Sequence, residues 1–490
     1  MTDPRRPSRR PADAGPAPAE SPTGRRVLAL DLGSSSVRAV VCDARAEPIP
    51  GLLARAGVQP QQDDDGRGEL DPDAYVAGLV SCLDQLAEGG ALDGVELVAT
   101  SSQWHSLLAV GPDGVPRSAV LTWLDTRAQP DPGRQPADPD AFHARTGTWV
   151  HPLYWTAKVP WLRGQLGAQT PLRFLGLPDY VRAVLLGTDA TSASVASGTG
   201  LLDLDRQCWD PEALDLAGLA PTAVELPLID DTPRRLAPRW RDRWPALADA
   251  QWTAVLGDGA ASNLGSGCAQ ADAVAVTVGT SAALRVVHGP NVPPPPPTVW
   301  RYRVDAERLV SGIAFSGGGV LHAWAVRLLT LGPDTEPTIP PGASGLVSIP
   351  LHAGSRPPGS MPPGSGLVAG LSLETSAEDL LAATMEGVAL EAARALDVLE
   401  KSFGAELDVV LGGGAVHASP WWQRAFAATF DRRVRIADDP EVGARGAAAQ
   451  ALGLDLPRPG PLLGPDPDDA ARMATVRARY SRLRDVWGGI

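Results

Sequence analysis

The sequence of 490 residues predicts an α/β protein with two similar domains and a cleft between them. Residues 27–42 are typical of a strand, a Gly/Ser turn and a second strand. The same pattern returns at residues 273–287, where the turn is Gly-Thr-Ser. A repeated unit of this kind indicates two related domains. At about 100–200 residues per domain, the length accommodates two or three.

The composition narrows the class of function. The net charge is −14 and the pI is near 5.0, which argues against a general nucleic-acid or membrane surface. The four cysteines are far apart and fit neither a zinc pattern nor a disulfide framework. No run of about 20 apolar residues predicts a transmembrane helix. We therefore expect a cytoplasmic protein with no nucleic-acid partner and no membrane partner.

The first half begins with a predicted disordered tail, residues 1–26, which is rich in Pro, Ala, Ser and Arg. The first domain is expected over residues 27–268. Its clearest elements are the opening hairpin, a helix over 72–88 with Asp71 as N-cap, and a strand over 94–103. Few periodic signals occur between residues 128 and 250.

The second domain is expected over residues 269–455, followed by a helical extension over 456–490. The proline-rich segment at 288–298 predicts an exposed loop, and residues 335–365 are another Pro/Gly-rich stretch. The remaining expected elements are helices over 376–402, 419–430, 441–453 and 467–486, and a strand over 407–411.

The turn of the first hairpin could bind phosphate oxygens. Gly33, Ser34, Ser35 and Ser36 offer close backbone approach and several donors, and Asp31 could hold water around Mg²⁺. An ordinary polar hairpin turn explains the same residues equally well. The Gly-Lys-Ser/Thr ending of a Walker A loop is missing.

The turn of the second hairpin strengthens the phosphate interpretation. Gly279, Thr280 and Ser281 repeat the same chemistry in the second domain. Two such turns could hold a triphosphate from both sides. A hairpin duplicated only for folding is the alternative.

Asp258 is the candidate general base. It lies between two glycines at the end of an apolar strand, within LGDGAASNLGSG. A carboxylate in that position can accept a proton from a hydroxyl nucleophile. The alternative is an aspartate that only caps the following helix.

Two further segments carry candidate binding residues. Gly412, Gly413, Gly414 and Ala415 follow a strand and could border an adenine or ribose pocket, or simply form a tight turn. The segments TSSQWHSLL and LTWLDTRA place polar groups in loops or at strand ends, as recognition of a polyhydroxylated ligand requires. The residues concerned are Gln103, Trp104, His105, Asp125 and Arg127. Each of these alone could equally be an ordinary surface or satisfied polar residue.

Six segments, in order, resemble the FGGY carbohydrate kinases of the actin-like ATPase superfamily. LALDLGSSSVRA and TVGTSAAL are similar to the two phosphate motifs, and LGDGAASNLGSG is similar to the catalytic-base motif. SSQWHSLL with WLDTRA resembles the sugar-contacting segments. GLVAGLSLETSAEDLLAATMEGVALEA resembles the C-terminal family signature, and LGGGAVHASPWWQ with EVGARGAAAQALG resembles the adenosine motif. The resemblance covers about residues 27–455.

The resemblance implies two actin-like, ribonuclease H-like domains with ATP and sugar meeting in the cleft. It implies Asp258 as base, Asp31 as the residue that supports Mg²⁺, and domain closure that excludes water. It further implies a sugar or sugar acid as partner and is compatible with a homodimer.

Several segments are most similar to the gluconokinase group, notably TGTWVHPLYWTAK and the NLGSG ending after Asp258. Phosphorylation of gluconate to 6-phosphogluconate is therefore the favoured function. Three departures leave other acceptors open: Ser192-Ala193 replaces a common Asp-Tyr pair, SGGG at 316–319 lacks the usual asparagines, and Trp104 replaces a methionine.

The alternatives are a xylulokinase or another kinase of pentuloses, polyols or sugar-like metabolites, and a non-catalytic actin-like regulator. Retention of Asp258 argues against the regulator. An Hsp70-like chaperone is disfavoured because no peptide-binding domain follows the adenosine motif.

Overall fold

The computed structural model describes residues 25–167, 170–356, 358–359, 361–437 and 439–487. Almost all of the tail predicted to be disordered lies outside these residues. Among the helices that the structure describes, none combines the length and apolar character needed to cross a membrane.

The first domain is built on a five-stranded sheet in the order β5-β4-β1-β2-β3. β2 is antiparallel to both β1 and β3, whereas β1, β4 and β5 run parallel to one another. The opening hairpin is therefore confirmed. The strands are β1 (Arg26–Leu32), β2 (Ser36–Cys42), β3 (Pro48–Gly57), β4 (Val95–Ser102) and β5 (Gln251–Gly257).

The second domain repeats this topology in a seven-stranded sheet of order β8-β9-β7-β6-β10-β11-β12. β6 and β7 form the second hairpin, and β6, β10 and β11 run parallel. The repeat suggested by the two hairpins thus extends to five corresponding strands in each sheet. The strands are β6 (Ala273–Val278), β7 (Ala282–His288), β8 (Trp300–Arg303), β9 (Leu309–Phe315), β10 (Asp408–Gly412), β11 (Val434–Ile436) and β12 (Leu462–Leu463).

Helices cover the two sheets. They are α1 (Pro72–Glu88), α2 (Pro139–Thr146), α3 (Trp155–Leu166), α4 (Leu177–Leu186), α5 (Ala193–Ser197), α6 (Pro211–Leu216), α7 (Pro238–Arg241), α8 (Asp258–Gly265), α9 (Gly319–Leu328), α10 (Ala377–Phe403), α11 (Gly414–His417), α12 (Pro420–Phe430), α13 (Val442–Leu452) and α14 (Pro467–Trp487).

Short strands form small additional sheets. They are Gln61–Gln62, Gly68–Leu70, Leu108–Val110, Val120–Leu121, Arg173–Leu175, Ala190–Thr191, Leu202–Asp203, Cys208–Trp209, Leu228–Ile229, Val347–Ile349 and Leu367–Ala369, and a 3-10 turn covers Pro245–Leu247.

Local capping explains why the best-predicted helices begin where they do. The Asp71 carboxylate accepts hydrogen bonds from the backbone N–H groups of Asp73 and Ala74, which confirms its role as N-cap of α1. At the start of α10, Ser376 and Asp379 form a reciprocal capping box.

The first sheet has a different helix layer on each face. α1 packs on one face around Leu28, Leu30 and Leu79. On the other face lie the alanines of α13, a helix that comes from the second half of the chain. A single helix from the second domain therefore belongs to the core of the first.

Glycines let α13 and α8 approach each other closely. A Cβ atom at Gly446 would overlap the carbonyl oxygen of Ala261, and one at Gly265 would overlap the carbonyl oxygen of Val442. Because α8 begins at Asp258, this contact also fixes the helix that carries the candidate base.

We expect Gly446→Val to destabilise the protein, because the added side chain has no space between α8 and α13. Overpacking of this kind costs about 1–3 kcal/mol and occasionally more. The midpoint of urea unfolding measures the effect. Gly164→Ala is the matched control, since no atom lies within 4 Å of its added Cβ. An unfolding midpoint unchanged in Gly446→Val would contradict this account of the helix contact.

Candidate active site

A cavity of about 500 Å³ lies between the two sheets, at the hairpin turns. The first domain contributes Asp31, the Gly33–Ser36 turn and Asp258, and the second contributes Thr277 and Arg285. Further lining side chains are aromatic or cationic: Arg38, Trp104, His105, Trp123, Trp149, Tyr154, Trp300, Tyr302 and Arg356.

Asp258 lies where β5 ends and α8 begins, and its side chain is exposed to the cavity. The backbone N–H of Gly259 donates to its Oδ1 at 2.8 Å. Desolvation by the surrounding protein raises the pKa of Asp258 to about 6, although Arg285 opposes the shift. A carboxylate with this pKa is ionised near neutral pH and can still accept a proton.

The first hairpin turn lines the cavity next to Asp31. The N–H of Gly33 donates to the Ser36 carbonyl at 3.1 Å, and the Tyr75 hydroxyl donates to the Gly33 carbonyl at 2.8 Å. These bonds fix the turn and leave Ser34 and Ser35 at the surface of the cavity. Burial raises the pKa of Asp31, against the opposing charge of Arg38.

The second hairpin turn reaches the cavity through Ser281. The N–H of Gly279 donates to the Ser281 carbonyl at 2.9 Å, and the Gly279 carbonyl accepts from the N–H of Gly319 at 2.7 Å. A Cβ at Gly318 would lie 2.8 Å from the Thr280 carbonyl oxygen. The glycines at 317–319 therefore allow α9 to begin directly against this turn.

The glycine run lies beside the second turn but outside the lining of this cavity. Gly413 has φ of 100° and packs so closely on Val278 that a side chain would not fit. Space around Gly414 is open, and Ala415 lies against Gly319. The adenosine role assigned to Gly412, Gly413, Gly414 and Ala415 stays a prediction.

Trp104 lies directly beneath the candidate base. Its indole fills the space that Cβ atoms at Gly257 and Gly259 would need. The indole N–H donates to the Ser194 carbonyl at 2.9 Å. The glycines on both sides of Asp258 therefore accommodate the tryptophan.

His105 presents a neutral ring to the cavity. Its backbone has φ of 66°, and its Nδ1 lies 2.7 Å from the Gly198 carbonyl, so Nδ1 carries the proton and Nε2 is the acceptor. Burial lowers the pKa of His105 to about 3. A neutral Nε2 can accept a hydrogen bond from a ligand hydroxyl.

Asp125 and Arg127 do not line the cavity. The two side chains pair with each other at 2.6 Å, and Arg127 also pairs with Glu69 and stacks over Trp161. Gln103 is buried, and neither side-chain amide atom has a partner within the described chain. Direct sugar contact by Gln103, Asp125 and Arg127 stays a prediction.

The Lys158 ammonium interacts both with Asp125, of the Asp125–Arg127 ion pair, and with the backbone of His105 in the cavity wall. The fully buried ammonium donates to the carbonyls of His105 at 3.0 Å and Thr122 at 2.7 Å. Desolvation lowers the pKa of Lys158 to about 7, although the Asp125 charge opposes the shift. Asp125 therefore lies in the layer that supports His105.

Ser192 and Ala193 also lie behind the cavity and not in its wall. The Ser192 hydroxyl donates to the Val255 carbonyl at 2.6 Å and caps α5. The Ser-Ala departure from the family pattern thus acts through the packing of α5 against β5.

Three arginines in the cavity lining, Arg38, Arg285 and Arg356, were not identified from the sequence. Arg285 is 9% exposed, and it donates to Asn263 Oδ1 at 3.1 Å and to Thr277 Oγ1 at 2.9 Å. An arginine flanked by the apolar residues of strand β7 was a signal that could have identified Arg285. Arg356 lies in a Pro/Gly-rich segment that gave no such signal.

Aromatic rings form much of the remaining wall. Trp300 stacks on Tyr302 with 4.7 Å between ring centroids, and Trp104 lies 4.9 Å from the same tyrosine. The hydroxyls of Tyr302 and Tyr154 are 2.7 Å apart. Only one of them can donate to the other, so one hydroxyl proton remains for another acceptor.

The acidic groups of the cavity suit Mg²⁺ bound together with phosphates. Within the described part of the chain, no group of three His, Cys, Asp or Glu side chains could hold a metal ion alone. Mg²⁺ usually takes one or two carboxylates, substrate phosphate oxygens and waters. Asp31, beside the first hairpin turn, fits that requirement.

Comparison with known proteins agrees with this architecture. The family model for the N-terminal domain of FGGY carbohydrate kinases matches residues 26–236, and the C-terminal model matches residues 274–453. A gluconokinase of Bacillus licheniformis is 24% identical over 456 residues, or 87% of each chain. A xylulose kinase of Streptomyces rubiginosus is 30% identical over 459 residues, which cover 92% of this chain and 90% of the relative.

A solved structure shares the fold. The crystal structure of gluconate kinase from Lactobacillus acidophilus superimposes with a TM-score of 0.82 and 22% sequence identity, covering 95% of this chain and 99% of that one. Two family models that together span most of the sequence decide the assignment: this chain belongs to the FGGY family of carbohydrate kinases, phosphotransferases with an alcohol group as acceptor.

Proposed function

We propose that this kinase transfers the γ-phosphate of ATP to gluconate and forms 6-phosphogluconate. The observation that carries the proposal is Asp258, a carboxylate exposed in the cleft between both hairpin turns. The likeness to gluconokinases over 87% of the chain favours gluconate among the acceptors of the family.

Asp258 acts as the general base in the proposed reaction. Its carboxylate takes the proton of the acceptor hydroxyl as that oxygen attacks the γ-phosphorus. The Arg285 guanidinium, held by Asn263 and Thr277, faces the negative charge that develops on the transferred group. Mg²⁺ held at Asp31 would supply charge neutralisation at the phosphates.

The two domains have different roles in the proposed reaction. Residues 27–268 hold the acceptor and supply the base, and residues 269–455 bind ATP, followed by β12 and α14. His105 Nε2 and the Tyr154–Tyr302 hydroxyl pair offer hydrogen bonds to acceptor hydroxyls. We place the reaction in the cytoplasm, where ATP is available.

A pentulose such as xylulose is the second candidate acceptor. The xylulose kinase of Streptomyces rubiginosus, at 30% identity, favours it. A non-catalytic regulator has no need of Asp258, and the exposed position of this carboxylate in the cavity therefore argues for an enzyme.

A coupled ADP-release assay with Mg²⁺ and ATP tests the proposal directly. The acceptor panel contains gluconate, xylulose, ribulose, glycerol, heptoses and cyclitols. We expect gluconate to give the highest kcat/KM. A stronger response to xylulose would replace gluconate by a pentulose, and no turnover with any acceptor would contradict the assignment as a kinase of these substrates.

The kcat/KM of the enzyme should fall as the pH drops through about 6, because the pKa of Asp258 is raised to about 6. Protonated Asp258 cannot take the proton of the acceptor hydroxyl. Well below the pKa, the rate should fall about tenfold per pH unit. A pH profile of kcat/KM from 4.5 to 8.5 measures this limb, and the residual activity of Asp258→Asn should lack it. A limb that persists in the variant would assign the titration to another group.

A further inference from the structure

Arg356 brings a positive charge to one side of the cavity. The residue is half-buried and lines the cavity together with Trp123 and His105. Its guanidinium carbon lies 4.7 Å from the ring centroid of Trp123. Stacking on a tryptophan face orients the planar guanidinium but leaves its N–H groups free to donate.

No carboxylate of the described chain pairs with Arg356, unlike the other two arginines of the cavity. Arg38 lies 3.4 Å from Glu441, and Arg285 is hydrogen-bonded to two side chains and interacts with Asp258. For Arg356, desolvation alone lowers the pKa, with no anion to oppose it. A desolvated cation without an anionic partner is unfavourable unless a ligand supplies one.

Asp258 and Arg356 lie against different aromatic rings of the cavity: the Trp104 indole packs against the glycines on both sides of Asp258, whereas Arg356 stacks on Trp123. The charge of Arg356 acts on His105 and His151, and both rings have lowered pKa values, chiefly through burial. The charges that act on Asp258 are those of Arg285 and Asp31. The His105 ring centroid lies 6.4 Å from that of Trp104, and Asp258, His105 and Arg356 line the same cavity, so an acceptor with one hydroxyl at Asp258 can extend past His105 towards Arg356.

We propose that Arg356, stacked on Trp123, is the residue by which this kinase selects sugar acids: it binds the acceptor carboxylate at the end of the chain away from the hydroxyl that is phosphorylated. The proposal rests on the proposed function, and it adds a specificity-determining residue and an orientation. A guanidinium can bind a carboxylate through two parallel hydrogen bonds, which a neutral polyol cannot reproduce.

Binding measurements test this proposal without requiring turnover. Isothermal titration compares aldonates of four to six carbons with the alditols of the same configuration, so that gluconate and glucitol differ only at one chain end. A charge-assisted pair of hydrogen bonds should make at least one aldonate bind about 10–100-fold more tightly than its alditol. Arg356→Met should remove that preference, with alditol binding little changed, and Arg356→Lys should retain part of it.

The control is Arg117→Met, which removes an arginine that pairs with Asp113 on the surface. It should retain the preference of the wild-type protein. Equal binding of aldonates and alditols, or a preference that survives in Arg356→Met, would overturn the proposal. If a sugar phosphate binds more tightly than any aldonate, the claim that Arg356 binds a carboxylate is wrong.

The ADP-release assay distinguishes a failure of the Arg356 proposal from a failure of the proposed function. If aldonates bind through Arg356 but accept no phosphate, the kinase proposal fails and the binding proposal stands. If the wild-type protein phosphorylates only neutral sugars and binds no aldonate preferentially, the Arg356 proposal and gluconate as the acceptor both fail, and a kinase of neutral sugars remains.

Discussion

Asp258→Asn lowers kcat by about 10²–10⁴-fold in our expectation, which is the usual contribution of a general base. The amide has almost the shape of the carboxylate and can still accept the hydrogen bond from the N–H of Gly259. It cannot take a proton from the acceptor hydroxyl. Binding of ATP and of the acceptor, measured by calorimetry, should therefore change little while turnover falls.

The matched control for this substitution is Asp249→Asn. The Asp249 carboxylate is 96% exposed and pairs with Arg235 on the surface, and neither residue lines the cavity. It should leave kcat unchanged. If Asp258→Asn keeps the turnover of the wild-type protein, Asp258 is not the base, and the reaction needs another proton acceptor.

Local patterns made the two hairpins and their turns predictable. The strand-turn-strand pattern of residues 27–42 and the cap at Asp71 are each encoded within a few neighbouring residues, so the local sequence itself contains the necessary information. The six helices between residues 139 and 241 were missed, because most are short and α3 contains Pro160. Their positions depend on packing against distant segments.

The site residues likewise fall into those that local motifs predict and those that they do not. Asp31, Asp258 and the turn residues come from local motifs, and all of them except Gly279 and Thr280 line the cavity. Arg285 lies on β7, a few residues after the second turn, where a local signal could have identified it, whereas only the tertiary fold brings Arg356 to the cavity from a Pro/Gly-rich segment. The placement of α13 on the first sheet likewise arises from long-range packing that no local pattern encodes.

Arg285→Met should lower kcat by about 10²–10³-fold, the usual effect of removing one preorganised donor from a transition state. The guanidinium is fixed by Asn263 and Thr277, so its charge is already in position when the phosphoryl group is transferred. The same substitution removes the charge that opposes the raised pKa of Asp258. The acid limb of the pH profile should therefore move above about 6.

Two measurements distinguish this role from a structural one. A residue that only supports the fold would lower the unfolding temperature without moving the acid limb. Arg285→Lys keeps the charge and should restore the limb towards its position in the wild-type protein, although it cannot reproduce both side-chain hydrogen bonds. Arg235→Met is the surface control, because that arginine pairs only with the exposed Asp249 among the described residues. If Arg285→Met keeps both the kcat and the acid limb of the pH profile of the wild-type protein, this guanidinium acts neither on Asp258 nor on the transferred group.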